Sequence, residues 1–371
     1  MVRDMTEGHP LKRILAFSAP LLLGNLFQQF YSMADSIIVG QYIGVNAFAA
    51  VGSTGSINFL ILGFVQGACM GFAIPVAQEF GAGDMRAMRR CVANAAYLSV
   101  LVAIAVTALT ALFTRDILRW MQTPADIFED AYSYIFIVFA GTGATVLYNL
   151  LASVLRALGD SRTPLIYLII ASIINIALDV VLIAVIPLGV AGAAYATVAS
   201  QLISGLLCLW HIKRKFLILH IEKQERKFDK ELCLRLLHAG VPMGLQFSIT
   251  AIGSMVMQSA NNGLGSIYVS GFTAGMRIKQ FAMCPFDALA NGVSVFCSQN
   301  LGAGKIKRIR KGLWQGVGVG FIYGLLIGLV LIFAGRSLSM LFISADQTAV
   351  LDASAKYLRC LGFFYWSLGP L

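Results

Sequence analysis

The chain has 371 residues, of which 58% are hydrophobic and only 12% are charged, and its mean hydropathy is +0.77. Soluble domains carry about 25% charged residues, so this composition excludes an ordinary soluble globular protein. The formal net charge of +10 does not indicate a nucleic-acid partner, because the basic residues lie between apolar segments instead of forming one basic surface.

Apolar segments of helical length run through the whole chain. A membrane-spanning helix needs about 20 mostly apolar residues, whereas a barrel strand needs about 10. Ten segments have the helical length: about 14–40, 56–79, 91–113, 131–153, 163–187, 190–212, 234–257, 275–298, 312–334 and 352–371. We therefore predict an all-α polytopic membrane protein.

The basic residues are distributed unequally between alternate connections. With the N-terminus in the cytoplasm, the cytoplasmic segments hold 21 of the 28 Lys and Arg residues, including Arg3. The outer loops at 41–55, 188–189 and 258–274 hold none. This positive-inside bias predicts a multi-pass protein of the bacterial inner membrane with a cytoplasmic N-terminus.

Cysteine and histidine residues do not form recognisable motifs. The seven cysteines contain no C-x-x-C pair, and the four histidines contain no H-E-x-x-H. These patterns predict no disulfide framework, no metal cofactor of this type and no nucleophile-and-base enzyme.

Two stretches of the chain resemble two later ones at nearly the same offset. QEFGAGDMRAMRRC at 78–91 aligns with QNLGAGKIKRIRKG at 299–312, an offset of 221 residues. LKRILAFSAP at 11–20 aligns with CLRLLHAGVP at 233–242, an offset of 222 residues. An even number of helices separates the copies, so we predict a parallel repeat about an axis along the membrane normal.

The repeat predicts two helix-bundle lobes. An N-terminal lobe of six helices occupies 1–212, a basic cytoplasmic linker occupies 213–233, and a C-terminal lobe of about four helices occupies 234–371. An alternative for the linker is a basic helix lying on anionic lipid. Two equal lobes of six helices would extend to about residue 433, so we expect a C-terminally truncated chain.

Polar residues recur at helical spacing in three segments of the first lobe. These stripes are Asn25, Gln28, Ser32 and Asp35; Ser172, Asn175 and Asp179; and Thr197, Gln201 and Ser204. Asp35, Asp179 and Thr197 each lie about 12 Å, or eight helical residues, from the outer end of their segment. Because a carboxylate at this depth is costly and usually faces an interior cavity, we predict a cation-coupling site. Asp35 and Asp179 would take up a proton, or hold a sodium ion with Asn175 and Thr197 as neutral ligands.

Other polar residues in the apolar segments are candidates for lining a substrate cavity. They are Gln28, Tyr134, Asn149, Gln201, Gln246, Arg277 and Asp287. The alternative for the polar stripes is that they only hold helices together. For Arg277 and Asp287, a structural ion pair or snorkelling toward the outer surface is the alternative.

These motifs, in this order, resemble the multidrug and toxic compound extrusion (MATE) family over the whole chain. The motifs are MADSIIVG around Asp35, the Gly-Ala-Gly turns after the second and eighth segments, and N-x-x-x-D from Asn175 to Asp179. The resemblance implies an antiporter that exports organic cations, drugs or amphipathic metabolites in exchange for protons or sodium, by rocking of two lobes. In members similar to the DNA-damage-inducible type, a cation site corresponds here to Asp35, Asn175, Asp179 and Thr197, with Tyr134 as a further match.

Two other functions remain as alternatives. A lipid-linked precursor flippase of the same superfamily would favour arginines around a pyrophosphate, and the helices of the first lobe have none at mid-depth. A membrane-embedded enzyme would need a nucleophile or a metal cluster. The expected partners are the lipid bilayer and an amphipathic or cationic small molecule, with no nucleic acid, and we expect a monomer without a cofactor other than the coupling ion.

Overall fold

The computed structural model describes residues 4–262 and 264–368, and all regular structure in these residues is helical. The α-helices are α1 (Pro10–Tyr42), α2 (Val45–Ala82), α3 (Met85–Trp120), α4 (Phe128–Ala140), α5 (Thr142–Ala157), α6 (Arg162–Asp179), α7 (Val190–Lys215), α8 (Lys230–Asn262), α9 (Ser266–Gly302), α10 (Ile306–Ser339) and α11 (Thr348–Phe364). Arg3 and residues 369–371 of the tenth predicted segment lie outside the described residues. The prediction of an all-α protein is confirmed.

Seven of the described helices are long and apolar enough to cross a membrane: α2, α3, α6 with its continuation, and α7 to α10. The bent pair α4 and α5 makes an eighth if it counts as one span. Two further helices coincide with predicted segments but do not meet these requirements. α11 has only 17 residues. α1 is one continuous helix of 33 residues, but the polar stripe that contains Asp35 lowers its hydropathy. The count of ten spans therefore stays a prediction.

The fourth predicted segment, 131–153, is not one straight helix. Gly141 separates α4 from α5, and the two helices meet at an angle of 47°. Val198 of α7 occupies the space that a Cβ at Gly141 would need. The Thr142 hydroxyl donates a hydrogen bond of 2.7 Å to the Phe139 carbonyl and so satisfies a backbone acceptor at the break.

The fifth predicted segment, 163–187, also changes its geometry within the apolar run. α6 ends at Asp179 and continues as a π-helical turn, Val180–Val185. The Ile186 amide donates to the Val181 carbonyl at 2.9 Å, which is the i to i−5 pattern of a π-helix. Such turns are rare and occur frequently at functional sites.

The chain forms two compact units. Unit 1 consists chiefly of Phe30–Ile252, and unit 2 consists of Met5–Gln29 with Gly253–Leu371. α1 and α8 therefore each contribute to both units. The predicted lobes, 1–212 and 234–371, follow the sequence repeat and have different limits from the units, so the lobe boundaries stay a prediction.

Within unit 1, α7 packs against α4, α5 and α6, and α2 packs against α3, α4 and α5. Glycines allow α2 to approach α8 closely. A Cβ at Gly67 would lie 2.5 Å from the Met243 carbonyl oxygen, and one at Gly71 would lie 2.5 Å from that of Ala239. Small residues at four-residue spacing commonly permit such backbone approach between membrane helices.

Within unit 2, α9, α10 and α11 all pack against one another. The buried face of α10 is a row of glycines at four-residue spacing: Gly312, Gly316, Gly320, Gly324 and Gly328. The segment before α1 is held on this unit, because the Met5 amide donates to Gln299 Oε1 at 2.9 Å and Lys305 Nζ donates to the Thr6 carbonyl at 3.0 Å.

The connection between α7 and α8 is shorter than the predicted linker at 213–233, because α7 continues to Lys215 and α8 begins at Lys230. It contains two short 3₁₀ turns, Leu217–Leu219 and Lys223–Arg226. The alternative of one continuous basic surface helix is therefore wrong.

Candidate cation-coupling site

Asp35 of α1 and Asp179 of α6 are neighbours in unit 1, and their carboxyl groups lie within electrostatic reach of each other. Asp179 has no exposed surface, whereas Asp35 is half-buried. Both carboxylate oxygens of Asp179 and Oδ1 of Asp35 are buried without a well-formed hydrogen bond to the protein. The two candidate carboxylates therefore lie close together in unit 1, and their role as a cation-coupling site stays a prediction.

Asn175 lies one turn before Asp179 on α6 and is 2% exposed. Its Oδ1 and Nδ2 atoms are both buried without a protein hydrogen-bond partner. Two neighbouring polar side chains, four residues apart on one helix face, thus have four side-chain polar atoms with unused hydrogen-bonding capacity.

Two of the remaining candidates lie on α7, which packs against α6. Thr197 is half-buried, and its carbonyl accepts a hydrogen bond of 2.9 Å from the Ser200 hydroxyl. Gln201 lies one turn further along and has a buried Oε1 atom without a protein partner.

Tyr134 of α4 is 7% exposed and lies within electrostatic reach of both Asp35 and Asp179. Tyr31 lies within similar reach of Tyr134. Tyr31 was not among the predicted site residues, although it lies four residues before Asp35 and so shares a helix face with that carboxylate.

The other candidates are exposed or already have local partners. Asn149 Nδ2 donates to the Thr145 carbonyl at 2.9 Å, within its own helix. Gln246 is exposed on α8, and Gln28, Arg277 and Asp287 are exposed on helical segments that belong to unit 2.

The arrangement has a clear chemical consequence. Among the described residues, no lysine, arginine or histidine forms an ion pair with Asp35 or Asp179. A buried carboxylate without a hydrogen-bonded counter-charge is very costly. The pair is therefore suited to take up a proton, or to hold a hard cation that prefers oxygen ligands.

The described residues thus form many helices of membrane-spanning length, and they enclose two neighbouring carboxyl groups that have no basic residue as an ion-pair partner. These are features of a secondary transporter. A profile described as MatE matches residues 20–181 and 242–371, which is most of the chain. The chain belongs to the multidrug and toxic compound extrusion (MATE) family. Members of this family are transporters and not enzymes, so the alternative of a membrane-embedded enzyme is removed.

Individual relatives agree with the family assignment. The chain is 32% identical over 367 residues to the probable multidrug resistance protein YpnP of Bacillus subtilis, covering 99% of this chain and 81% of the relative. It is 31% identical over 340 residues to the probable multidrug resistance protein YoeA of the same organism, covering 90% and 73%.

A solved structure shows the same fold. It is described as the outward-facing conformation of a multidrug resistance MATE family transporter of the MOP superfamily. The superposition has a TM-score of 0.90 at 23% identity and covers 98% of this chain and 80% of that one.

Proposed function

We propose that the protein is a secondary antiporter that exports cationic or amphipathic small molecules, and that Asp35 and Asp179 couple export to entry of a cation. The observation that carries this proposal is a pair of neighbouring carboxyl groups in unit 1, within electrostatic reach of each other, with the Asp179 oxygens buried and without a hydrogen-bond partner. The multidrug resistance names of the relatives support export of drug-like substrates, and they favour this function over a lipid-linked precursor flippase.

The coupling ion is a proton or a sodium ion. A proton needs only the two carboxyl groups, which share it or exchange it between them. A sodium ion needs further oxygen ligands, and Asn175 Oδ1 with the Thr197 hydroxyl would supply them. The unused hydrogen-bonding capacity of Asn175 supports a role in ligand binding.

We further propose that export proceeds by alternating access of two repeat-related lobes. The MatE profile matches the chain twice, starting at residue 20 and at residue 242. These starts are 222 residues apart, which agrees with the offset of 222 between 11–20 and 233–242. The candidates for substrate contact remain Gln28, Tyr134, Asn149, Gln201, Gln246, Arg277 and Asp287. An inner-membrane location, a cytoplasmic N-terminus and a monomeric state complete the proposal.

The test is efflux of a cationic dye from proteoliposomes under separately imposed proton and sodium gradients. We expect Asp35→Asn and Asp179→Asn each to abolish gradient-driven efflux while leaving membrane insertion intact, because an amide is neutral and takes up no proton in place of the carboxylate. The matched control is Asp126→Asn, because this carboxylate is exposed in the loop between α3 and α4. Wild-type efflux by either site variant would remove the pair from the mechanism, and the gradient that drives the wild-type protein identifies the ion.

A further inference from the structure

The connection between α7 and α8 is held tightly on the start of α3. Arg89 Nε and Nη2 donate to the two carboxylate oxygens of Glu225 at 2.7 and 2.6 Å, and this carboxylate is buried. Arg90 forms a second ion pair with Asp229 at 2.7 Å. Asn94 adds a side-chain hydrogen bond of 3.0 Å from the Asp229 amide. The connection is therefore an ordered part of unit 1.

These ion pairs determine which charges of the connection remain available. Two of its three acidic residues, Glu225 and Asp229, are neutralised by arginines of α3. The cations at the end of α7 and in the connection are Lys213, Arg214, Lys215, Lys223, Arg226 and Lys227. All six are exposed. Among the described residues, none of the six forms an ion pair with a carboxylate. The surface of this connection is thus strongly basic.

A cavity of about 490 Å³ lies directly beneath this basic surface. Its wall is formed by apolar side chains of α3, α5 and α7 and of the connection, among them Val92, Ala96, Leu151, Leu209 and Ile221. Cavities of about 300–1,000 Å³ are typical of small-molecule sites. This cavity is too apolar for a hydrophilic ligand, and it lies at the ends of three membrane helices.

Polar groups of the cavity are concentrated among the lining residues of the connection and the end of α7. They include Lys213, His220 and Arg226. The Tyr97 hydroxyl, also in the lining, donates to the Arg226 carbonyl at 2.9 Å and so fixes the backbone beside this cation. The cavity therefore combines apolar walls with two permanent positive charges.

Exposed aromatic and aliphatic side chains place this region at the membrane boundary. Trp210 on α7 is 51% exposed, and the Arg214 guanidinium lies over its ring, 4.9 Å from the ring centroid. Leu217 and Phe228 of the connection are 75% and 68% exposed. Tryptophan next to basic residues is typical of the interface between lipid headgroups and acyl chains.

We propose that this cavity binds one anionic phospholipid, with its phosphate at Lys213 and Arg226 and an acyl chain between α3, α5 and α7. The charge complementarity selects an anionic headgroup, and the apolar wall requires a chain attached to it. Basic pockets between membrane helices on the cytoplasmic side bind anionic headgroups in this manner. The bound lipid would join the connection to the helices that precede it.

The experiment uses the full chain in nanodiscs of phosphatidylcholine that contain a few per cent of phosphatidylglycerol. Native mass spectrometry after detergent release counts the phospholipids that remain bound. We expect one phosphatidylglycerol to be retained by the wild-type protein. The double variant Lys213→Gln, Arg226→Gln should bind it about 10–30-fold more weakly, since each cation near an anionic group contributes about 1 kcal/mol, or roughly fivefold.

The matched charge control is Lys223→Gln, Lys227→Gln, because these residues lie on the same connection, carry the same charge and do not line the cavity. We expect this control to retain phosphatidylglycerol. Equal losses in both double variants would show only diffuse attraction to a basic surface and would overturn the proposal.

The acyl-chain part of the site has its own variant. Ala96→Phe fills the cavity, and Ala105→Phe makes the same change at an exposed position on α3 that does not line it. Retention should be lost in the first variant and kept in the second. If Ala96→Phe does not fold, Ile221→Trp fills the cavity from the connection, with the exposed Phe228→Trp as its control. Unchanged retention in a folded cavity-filling variant would leave only a phosphate contact and would contradict the proposal.

Discussion

At the scale of single residues, the unusual feature is the number of buried polar atoms near Asp179 that have no protein partner. Asn175 and Asp179 are 2% and 0% exposed, and none of their side-chain polar atoms has a hydrogen bond to the protein. Leaving one buried polar group unsatisfied costs about 1–3 kcal/mol. A protein that only needed to hold α6 in place would be more stable with apolar residues here, so these groups indicate ligand binding.

Replacing Asn175 with leucine separates a binding role from a structural one. The substitution removes no protein hydrogen bond, so we expect the free energy of unfolding to be unchanged or to rise by about 1–3 kcal/mol. Coupled efflux should fall by about fivefold or more, within the range of coupling free energies between sites. Thermal unfolding in one detergent and dye efflux from proteoliposomes measure the two effects. A less stable variant with normal efflux would assign Asn175 to packing alone.

Glu225 gives a prediction outside the membrane-spanning helices. Hydrogen bonds from the Arg89 guanidinium hold the pKa of the Glu225 carboxyl at about 2, below its ordinary value of 4.5. Folding therefore favours the ionised form, and this contribution is present above about pH 4.5 and is lost as the pH falls toward 2.

We expect Glu225→Gln to increase amide hydrogen exchange in residues 216–229 at pH 7 by about tenfold or more, since hydrogen bonds to charged groups contribute about 1.5–3 kcal/mol. The difference from the wild-type protein should shrink as the pH is lowered from 4.5 to 2.5. Glu231→Gln, an exposed carboxylate at the start of α8, is the control. A difference that stays constant across this pH range would mean that the ion pair does not hold the connection.

At the scale of helices, glycine determines where helices approach and where they bend. Gly67 and Gly71 let α2 lie against the backbone of α8, and Gly141 allows α5 to turn away from α4 beside Val198. The π-helical turn after Asp179 is a second departure from a straight helix, besides the bend at Gly141. Both departures lie in or next to helices of unit 1 that carry site candidates.

The crossing of α2 and α8 can be tested with two identical substitutions on one helix. A Cβ at Gly71 would lie 2.5 Å from the Ala239 carbonyl oxygen, whereas one at Gly55 would meet nothing within 4 Å. We expect Gly71→Ala to lower the free energy of unfolding by about 1–3 kcal/mol through overpacking. Gly55→Ala should be neutral or stabilising by up to about 1 kcal/mol, because alanine has the higher helix propensity. Equal thermal midpoints for the two variants would contradict the close approach.

At the scale of the whole molecule, the distribution of charge predicts the orientation in the membrane. We expect a cysteine introduced at Lys223 to react with a membrane-impermeant maleimide only from the cytoplasmic side, because this residue lies on the basic connection. A cysteine at Leu188, between the π-helical turn and α7, should react only from the outer side. Both are introduced into a chain whose seven native cysteines are replaced. Labelling of both positions from the same side would refute the orientation.

The sequence predicted much of the fold because its strongest signals are local. Apolar runs of helical length, the turns that follow Gly-Ala-Gly, and the polar stripes through Asp35 and Asp179 each depend on residues close together in the chain. The stripes predicted that the two carboxylates share a depth, and the structure places the two side chains within electrostatic reach of each other. Gln28, Arg277 and Asp287 were predicted to line a cavity, and the structure shows their side chains as exposed. The sequence could not make this distinction, because polar residues at helical spacing look the same whether the helix face is exposed or lines a cavity.

By itself the sequence determined the class of protein, the helical segments and the acidic residues that define the candidate site, since hydropathy and helical periodicity require no knowledge of distant contacts. Only the tertiary structure decided where helices break and how units form. The bend at Gly141 depends on Val198, which lies far away in the chain. The order of the connection before α8 depends on Arg89 and Arg90, more than 100 residues earlier. Such features arise from packing between distant segments, and a local pattern carries no information about which segments will meet.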